Sequence, residues 1–205
     1  MIPKRIVAIG TSAFFGDGDF LHGGYIGRLK VWHESNNPDN YVFNLGITLD
    51  KIGETTESLL KRIVPEASIR EPNLILLTSG INDIRRPESK ENPSAVSPEQ
   101  FEKNIHEMIA KAQFVVKDVM LVSVFPIKEK HDRSNNYLLP EDLTVYAVIV
   151  KKVCEEENIP YMDLYNEWLG KNYEQFLSLD GVHINTKGHE MIFEKLKEFL
   201  EKMYS

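Results

Sequence analysis

Only one cysteine occurs among the 205 residues, so no disulfide can close within the chain and no metal site can be built from thiolates. Positive charge is also scarce. The 24 lysines and arginines stand against 31 acidic residues, a net charge of -7, and no basic stripe is available to displace counterions from phosphates, so no nucleic-acid partner is expected. No apolar run approaches the roughly 18 residues of a membrane span. Met1 to Arg5 leads straight into an apolar segment without a small-residue cleavage site, which predicts a cytoplasmic protein. Repeats and low-complexity tracts are missing too. What remains is ordinary globular composition, 42% hydrophobic and 27% charged, at a length that suits one well-cored domain over residues 1–205. The lone Cys154, between Val150 and Val153 in a helical pattern, reads as core filler.

The apolar runs are short and regularly spaced. Ile6-Val7-Ala8-Ile9, Tyr41 to Leu45, Leu74 to Leu77, Val119 to Phe125 and a short run around Tyr161 to Leu164 read as strands. Between them lie helical patterns: Tyr25, Leu29 and Trp32; Leu59, Leu60, Ile63 and Val64, with Thr55 or Thr56 as cap; Phe101, Ile105, Met108, Ile109 and Ala112; Leu143, Ala147, Val150 and Cys154. Ile192, Leu196, Phe199, Leu200 and Met203 close the series. Ser97-Pro98-Glu99-Gln100 opens the third of these helices with a capping box. Residues 85–98 and about 128–140 read as long polar loops. Five strands alternating with helices imply an α/β fold, a three-layer sandwich with a mainly parallel five-stranded sheet. Right-handed crossovers then place every strand C-terminus on one rim, which gathers Ser12, Gly46, Asn82 and the loop after Phe125.

Ser12 follows the first strand directly, where open α/β sheets place ligands. A serine needs a neighbouring base to be a nucleophile at neutral pH, and that base works best when a third group fixes its tautomer. Asp180 and His183 have a spacing that lets a carboxylate reach an imidazole, and Asp19 and His22 have the same one. Donors for a developing oxyanion are available in the N–H groups of Ser12 and Gly46 and the side-chain amide of Asn82.

Gly10-Thr11-Ser12, Gly46, Gly80-Ile81-Asn82-Asp83 and Asp180-Gly181-Val182-His183, in this order and these contexts, resemble the SGNH or GDSL-like hydrolases over nearly the whole chain. The resemblance implies a flavodoxin-like topology and a serine esterase without a metal or cofactor, acting on a small-molecule ester or thioester. It makes Ser12 the nucleophile, His183 rather than His22 the base, and Asp180 its orienting acid. Ser12, Gly46 and Asn82 form the oxyanion hole, and Asp83 supports local geometry. Two features depart from the family pattern. Thr11 replaces the usual aspartate, and Leu49-Asp50-Lys51-Ile52 looks inserted. The Gly-x-Ser-x-Gly elbow of α/β-hydrolases is absent, because Phe14 stands where its second glycine would be.

Phe14, Phe15, Ile81 and Ile84 lie beside these residues in sequence and are candidates to line an acyl pocket. Arg85 or Arg86 is a candidate to meet an anionic substrate, and the two long loops are lid candidates. The competing readings are a flavodoxin-like module that cradles a phosphate on residues 10–18 and a hydrolase scaffold without activity. Nothing in the sequence sets an oligomeric state.

Overall fold

The computed structural model describes residues 1–48 and 54–205. Its sheet contains five parallel strands: β1 (Arg5–Gly10), β2 (Tyr41–Gly46), β3 (Leu74–Leu77), β5 (Val119–Val122) and β8 (Tyr161–Met162). Their order is β2-β1-β3-β5-β8. The central strands β1, β3 and β5 are fully apolar inside because helices cover both faces, and their buried residues merge with those of the helices into one cluster. Helices α3 (Thr56–Ser68), α4 (Pro98–Val115) and α5 (Pro140–Glu156) pack side by side, and α2 (Gly24–Asn36) packs on α7 (Thr186–Met203). Two short helices complete the set, α1 (Ser12–Phe15) and α6 (Leu164–Trp168).

The chain runs from β1 outward to β2, then returns to the other side of β1 for β3. Adjacent strands therefore send their connections to opposite faces between β1 and β3, and a crevice opens at their C-terminal ends. Ser12 follows β1 and Asn82 follows β3, so the two are brought to that crevice.

Two sequence expectations change. The fourth apolar run leaves the ladder at Ser123, whose Oγ accepts the N–H groups of Leu164 and Tyr165 (2.7 and 3.1 Å) and so anchors the first turn of α6. The fifth strand is correspondingly short, and Leu164 opens a helix instead of extending it. The two long polar loops are not structureless either. They contribute β4 (Arg86–Pro87), β6 (Lys130–His131) and β7 (Asn136–Leu138) to a small antiparallel sheet of order β4-β7-β6. Strands this short carry no periodicity that a sequence reading can detect. Cys154 is buried as core filler, and burial pushes its thiol up to about 12. The apparent insertion Leu49-Asp50-Lys51-Ile52 lies outside the described residues. Among the described residues, no helix is long and apolar enough to cross a membrane.

At the open edge of the sheet β2 comes very close to α1. Asn44 donates Nδ2–H to the carbonyl of Phe14 (2.7 Å), and its Oδ1 accepts the N–H of Gly46 (2.9 Å). A Cβ at position 46 would lie 2.2 Å from the Phe15 nitrogen and 2.5 Å from the Phe14 carbonyl carbon, both backbone atoms that cannot swing aside. Gly46→Ala is accordingly expected to cost at least about 2 kcal/mol, or about 4–8 °C in thermal midpoint, as read by calorimetry. A midpoint equal to wild type contradicts this packing.

Candidate active site

Asp180 and His183 sit in the turn between a 3-10 helix (Tyr173–Phe176) and α7. Asp180 Oδ1 accepts the backbone N–H groups of Val182 and His183, both at 3.0 Å, which folds the segment back on itself. Its Oδ2 then meets His183 Nδ1 at 2.6 Å. Burial raises the Asp180 pKa, but the His183 bond and the two backbone bonds outweigh it and hold the carboxyl well below the usual carboxylate range. A carboxylate can only accept, so His183 carries its proton on Nδ1 and presents Nε2 as the basic nitrogen. The turn is fixed at both ends: Ser178 N–H donates to the His183 carbonyl (2.7 Å), and Asn185 caps α7 by accepting Gly188 N–H (3.0 Å).

Ser12 is the first residue of α1, where N–H groups find no acceptor inside the helix. Asn82 is held by its two ends. Nδ2 donates to the Glu54 carbonyl (3.0 Å), and Oδ1 accepts from Arg85 Nε (3.1 Å), which leaves the second amide hydrogen available. Ser12, Asn82 and His183 line one cavity of about 290 Å³. Among the described residues, Asp17, Ile47, Thr48, Glu54, Arg85, Asp132, Arg133 and Ser134 also line it. Among the described residues no hydrogen bond joins Ser12 to His183.

The structure thus gathers Ser12, Asn82, Asp180, His183 and Arg85, and corrects the other assignments. Gly46 does not line the cavity. Its N–H is taken by Asn44, so this group is not the free oxyanion donor that the sequence reading makes it, and its glycine is required by the approach of α1. Phe14 and Ile84 are wholly buried, Phe14 edge-on to Tyr25 (5.6 Å between centroids). Ile81 packs against the core, Phe15 is 46% exposed, and none of the four lines the cavity. Phe14, Ile81 and Ile84 turn into the core, and Phe15 at the end of α1 turns outward. Arg86 is engaged by Asp142 (2.6 and 2.7 Å) on the outer side of the small sheet. Arg85 does reach the cavity, but Asp132 neutralises it at 3.0 Å.

Asp19 and His22 do pair (3.1 Å), but Arg28 shares Asp19 at 2.9 Å and His22 opens onto a different groove beside Trp32 and Phe193. The cavity residues that sequence reasoning missed come first from the β6–β7 turn (Asp132, Arg133, Ser134), and also from the ends of the β2–α3 connection (Ile47, Thr48, Glu54) and the loop after α1 (Asp17). Only the polar character of 128–140 and its position after a strand hinted at the first group.

A model of the GDSL-like Lipase/Acylhydrolase family matches residues 8–191. The chain belongs to that family. Membership places it among hydrolases of ester bonds. Solved structures with the same fold include the lipase/acylhydrolase from Enterococcus faecalis, at 22% identity over 97% of this chain and 96% of that one, with a TM-score of 0.75. LAE5, an alpha/beta hydrolase enzyme from the metagenome of Lake Arreo, Spain, aligns at 20% identity over 97% and 95%, with a TM-score of 0.73. Axe2, an acetyl xylan esterase from Geobacillus stearothermophilus (the W215I variant), aligns at 20% identity over 96% and 94%, with a TM-score of 0.71. Other Axe2 structures are catalytic mutants in which a serine, an aspartate or a histidine is replaced by alanine, the last two being three positions apart. No curated protein matches the chain.

Within this GDSL-like chain Asp83 anchors the segment that carries Asn82. Its Oδ1 accepts the N–H and hydroxyl of Thr56 (2.9 and 2.6 Å) at the start of α3, and Ser79 donates to Oδ2 (3.2 Å). Burial raises its pKa to about 6 against these bonds. Because the folded value lies above the ordinary 3.8, the stabilisation is fully present below the unfolded value and is lost as pH rises through about 6. Asp83→Asn removes this dependence. Urea unfolding is expected to show the variant gaining about 2 kcal/mol on wild type between pH 4 and pH 7. A difference that does not change with pH contradicts a buried titrating Asp83.

Proposed function

We propose that the chain is a serine esterase that cleaves short-chain esters of polar alcohols through an acyl-enzyme on Ser12. The observation that carries this reading is the convergence, on one small polar cavity, of Ser12, the spare amide hydrogen of Asn82 and a histidine whose tautomer Asp180 fixes. In the reaction Ser12 Oγ bonds to the ester carbonyl carbon while its proton passes to His183 Nε2. The oxyanion so formed is met by the Ser12 N–H and the Asn82 amide. The carbon–oxygen bond to the alcohol then breaks, and His183 returns the proton to the departing oxygen. Water repeats the sequence on the acyl-enzyme, with His183 taking one of its protons, and releases the acid and free Ser12. Asp180 stays ionised throughout and balances the imidazolium.

A cavity of about 290 Å³ walled by Asp17, Glu54, Arg85 and Asp132 suits a short acyl group and a hydroxylated leaving group better than a long lipid chain. The mutants of Axe2 that replace a serine, an aspartate and a histidine agree with the roles given to Ser12, Asp180 and His183. A phosphate cradle on residues 10–18 is the poorer reading, since the Asp17 carboxylate faces the same cavity and repels an anion.

Hydrolysis of p-nitrophenyl acetate is expected to exceed that of the octanoate, and Ser12→Ala is expected to lower kcat by at least about 10³-fold. A Ser12→Ala variant that keeps a tenth or more of wild-type turnover overturns the nucleophile assignment. An equal preference for octanoate overturns the short-chain reading.

A further inference from the structure

His183 faces a second carboxylate that the serine–histidine–aspartate arrangement does not use. Asp17 Oδ2 lies 3.7 Å from Nε2, on the side of the ring opposite Asp180, and both Asp17 and Ser12 line the cavity. Several independent contacts hold Asp17 there. Its N–H donates to the Ser12 carbonyl at 3.1 Å, and its own carbonyl accepts from His189 Nε2 at 3.0 Å. The wholly buried His189 accepts the Tyr25 N–H on Nδ1 (3.1 Å), which fixes the tautomer that donates to Asp17. The next residue, Gly18, has a φ of +95° and runs so close to the histidine's segment that a Cβ would stand 1.9 Å from the Ile184 carbonyl oxygen. The loop bearing Asp17 is therefore locked against the residue that follows His183.

We propose that Asp17 is a positioning residue for the base. When Nε2 takes the Ser12 proton, the imidazolium stands between two carboxylates, Asp180 on Nδ1 and Asp17 beside Nε2. The inference rests on the serine–histidine reading above. The other charged groups around the cavity are Glu54 at the start of α3, Asp132 and Arg85 engaged with each other, and Arg133 of the β6–β7 turn. Among the described residues none of these forms a hydrogen bond or ion pair with His183, and Asp17 is the carboxylate that meets Nε2.

A carboxylate 3.7 Å from Nε2 attracts the positive charge that the ring gains when that nitrogen takes a proton. Its removal should therefore move the acidic limb of the kcat/KM profile to lower pH. The plateau kcat should fall about three- to tenfold, because the imidazolium formed during turnover loses a partner. The test uses Asp17→Ser, since an asparagine before Gly18 reverts by deamidation, and Asp17→Thr repeats the charge removal should the serine variant not fold. Asp17→Glu should restore part of the limb position. Asp39→Ser removes an exposed carboxylate paired with Lys4, before β2 and away from the cavity, and should leave the limb in place.

A limb that stays within about 0.2 pH unit in a folded Asp17 variant overturns the proposal even where kcat falls, since lost packing alone would do that. An equal shift in Asp39→Ser also overturns it, as an effect of net charge. Should Ser12→Ala retain turnover, the serine–histidine reading fails first, and that result is separate from either outcome at Asp17.

Discussion

The parallel pairing of β1 with β2 on one side and β3 on the other is the constraint on which the remaining geometry depends. With Gly10 opposite Gly46 and Ile9 opposite Leu77, three strands end at one level, and the change of winding direction between β1 and β3 leaves a crevice there. Ser12 and Asn82 are the first polar side chains after β1 and β3 to reach that crevice and line its cavity. No interaction between the two residues is needed to place them together. The sheet does it, and its cost is met by the burial of β1, β3 and β5 within the core.

Polar ties then convert proximity into orientation. Asp83 joins the Asn82 segment to α3, Arg85 joins Asn82 to Asp132 of the small sheet, and His189 joins α7 to the loop behind Ser12. Lys128 N–H donates to the Gly181 carbonyl (2.8 Å), so the segment leading to β6 is bonded to the turn that bears Asp180 and His183. Each loop at the rim is thus fastened to an element that carries another. A cavity built this way presents fixed dipoles and charges, the condition that the proposed stabilisation of an oxyanion requires.

The features legible in the sequence were those with a period or a local bond. Buried strands announce themselves as apolar runs, so the fold could be read; a carboxylate three residues before a histidine can reach it within one turn, but Asp19–His22 shares that spacing, and the family resemblance is what singled out Asp180–His183. Ser12 drew attention because it closely follows β1, and Asn82 because Gly80-Ile81-Asn82-Asp83 resembles a motif of the family. Gly46 was misread because a glycine at a strand end serves a donor role and a close backbone approach equally well, and only the position of α1 decides between them. The acyl-pocket candidates failed because adjacency in sequence at a rim does not give direction. Asp17, Glu54 and Asp132 were beyond reach, since their place in the cavity depends on tertiary ties to His189, Arg62 and Arg85.

The central claim is that Ser12 is the group that His183 activates, and covalent labelling tests it most directly. The intact protein would be treated with a fluorophosphonate, which loses fluoride as a serine oxygen bonds to phosphorus, and the adduct located by peptide mass spectrometry. The account predicts a single adduct on Ser12, loss of ester hydrolysis in proportion to labelling, and no comparable labelling in His183→Ala. An adduct on another serine, or a fully labelled Ser12 with hydrolysis undiminished, would contradict it.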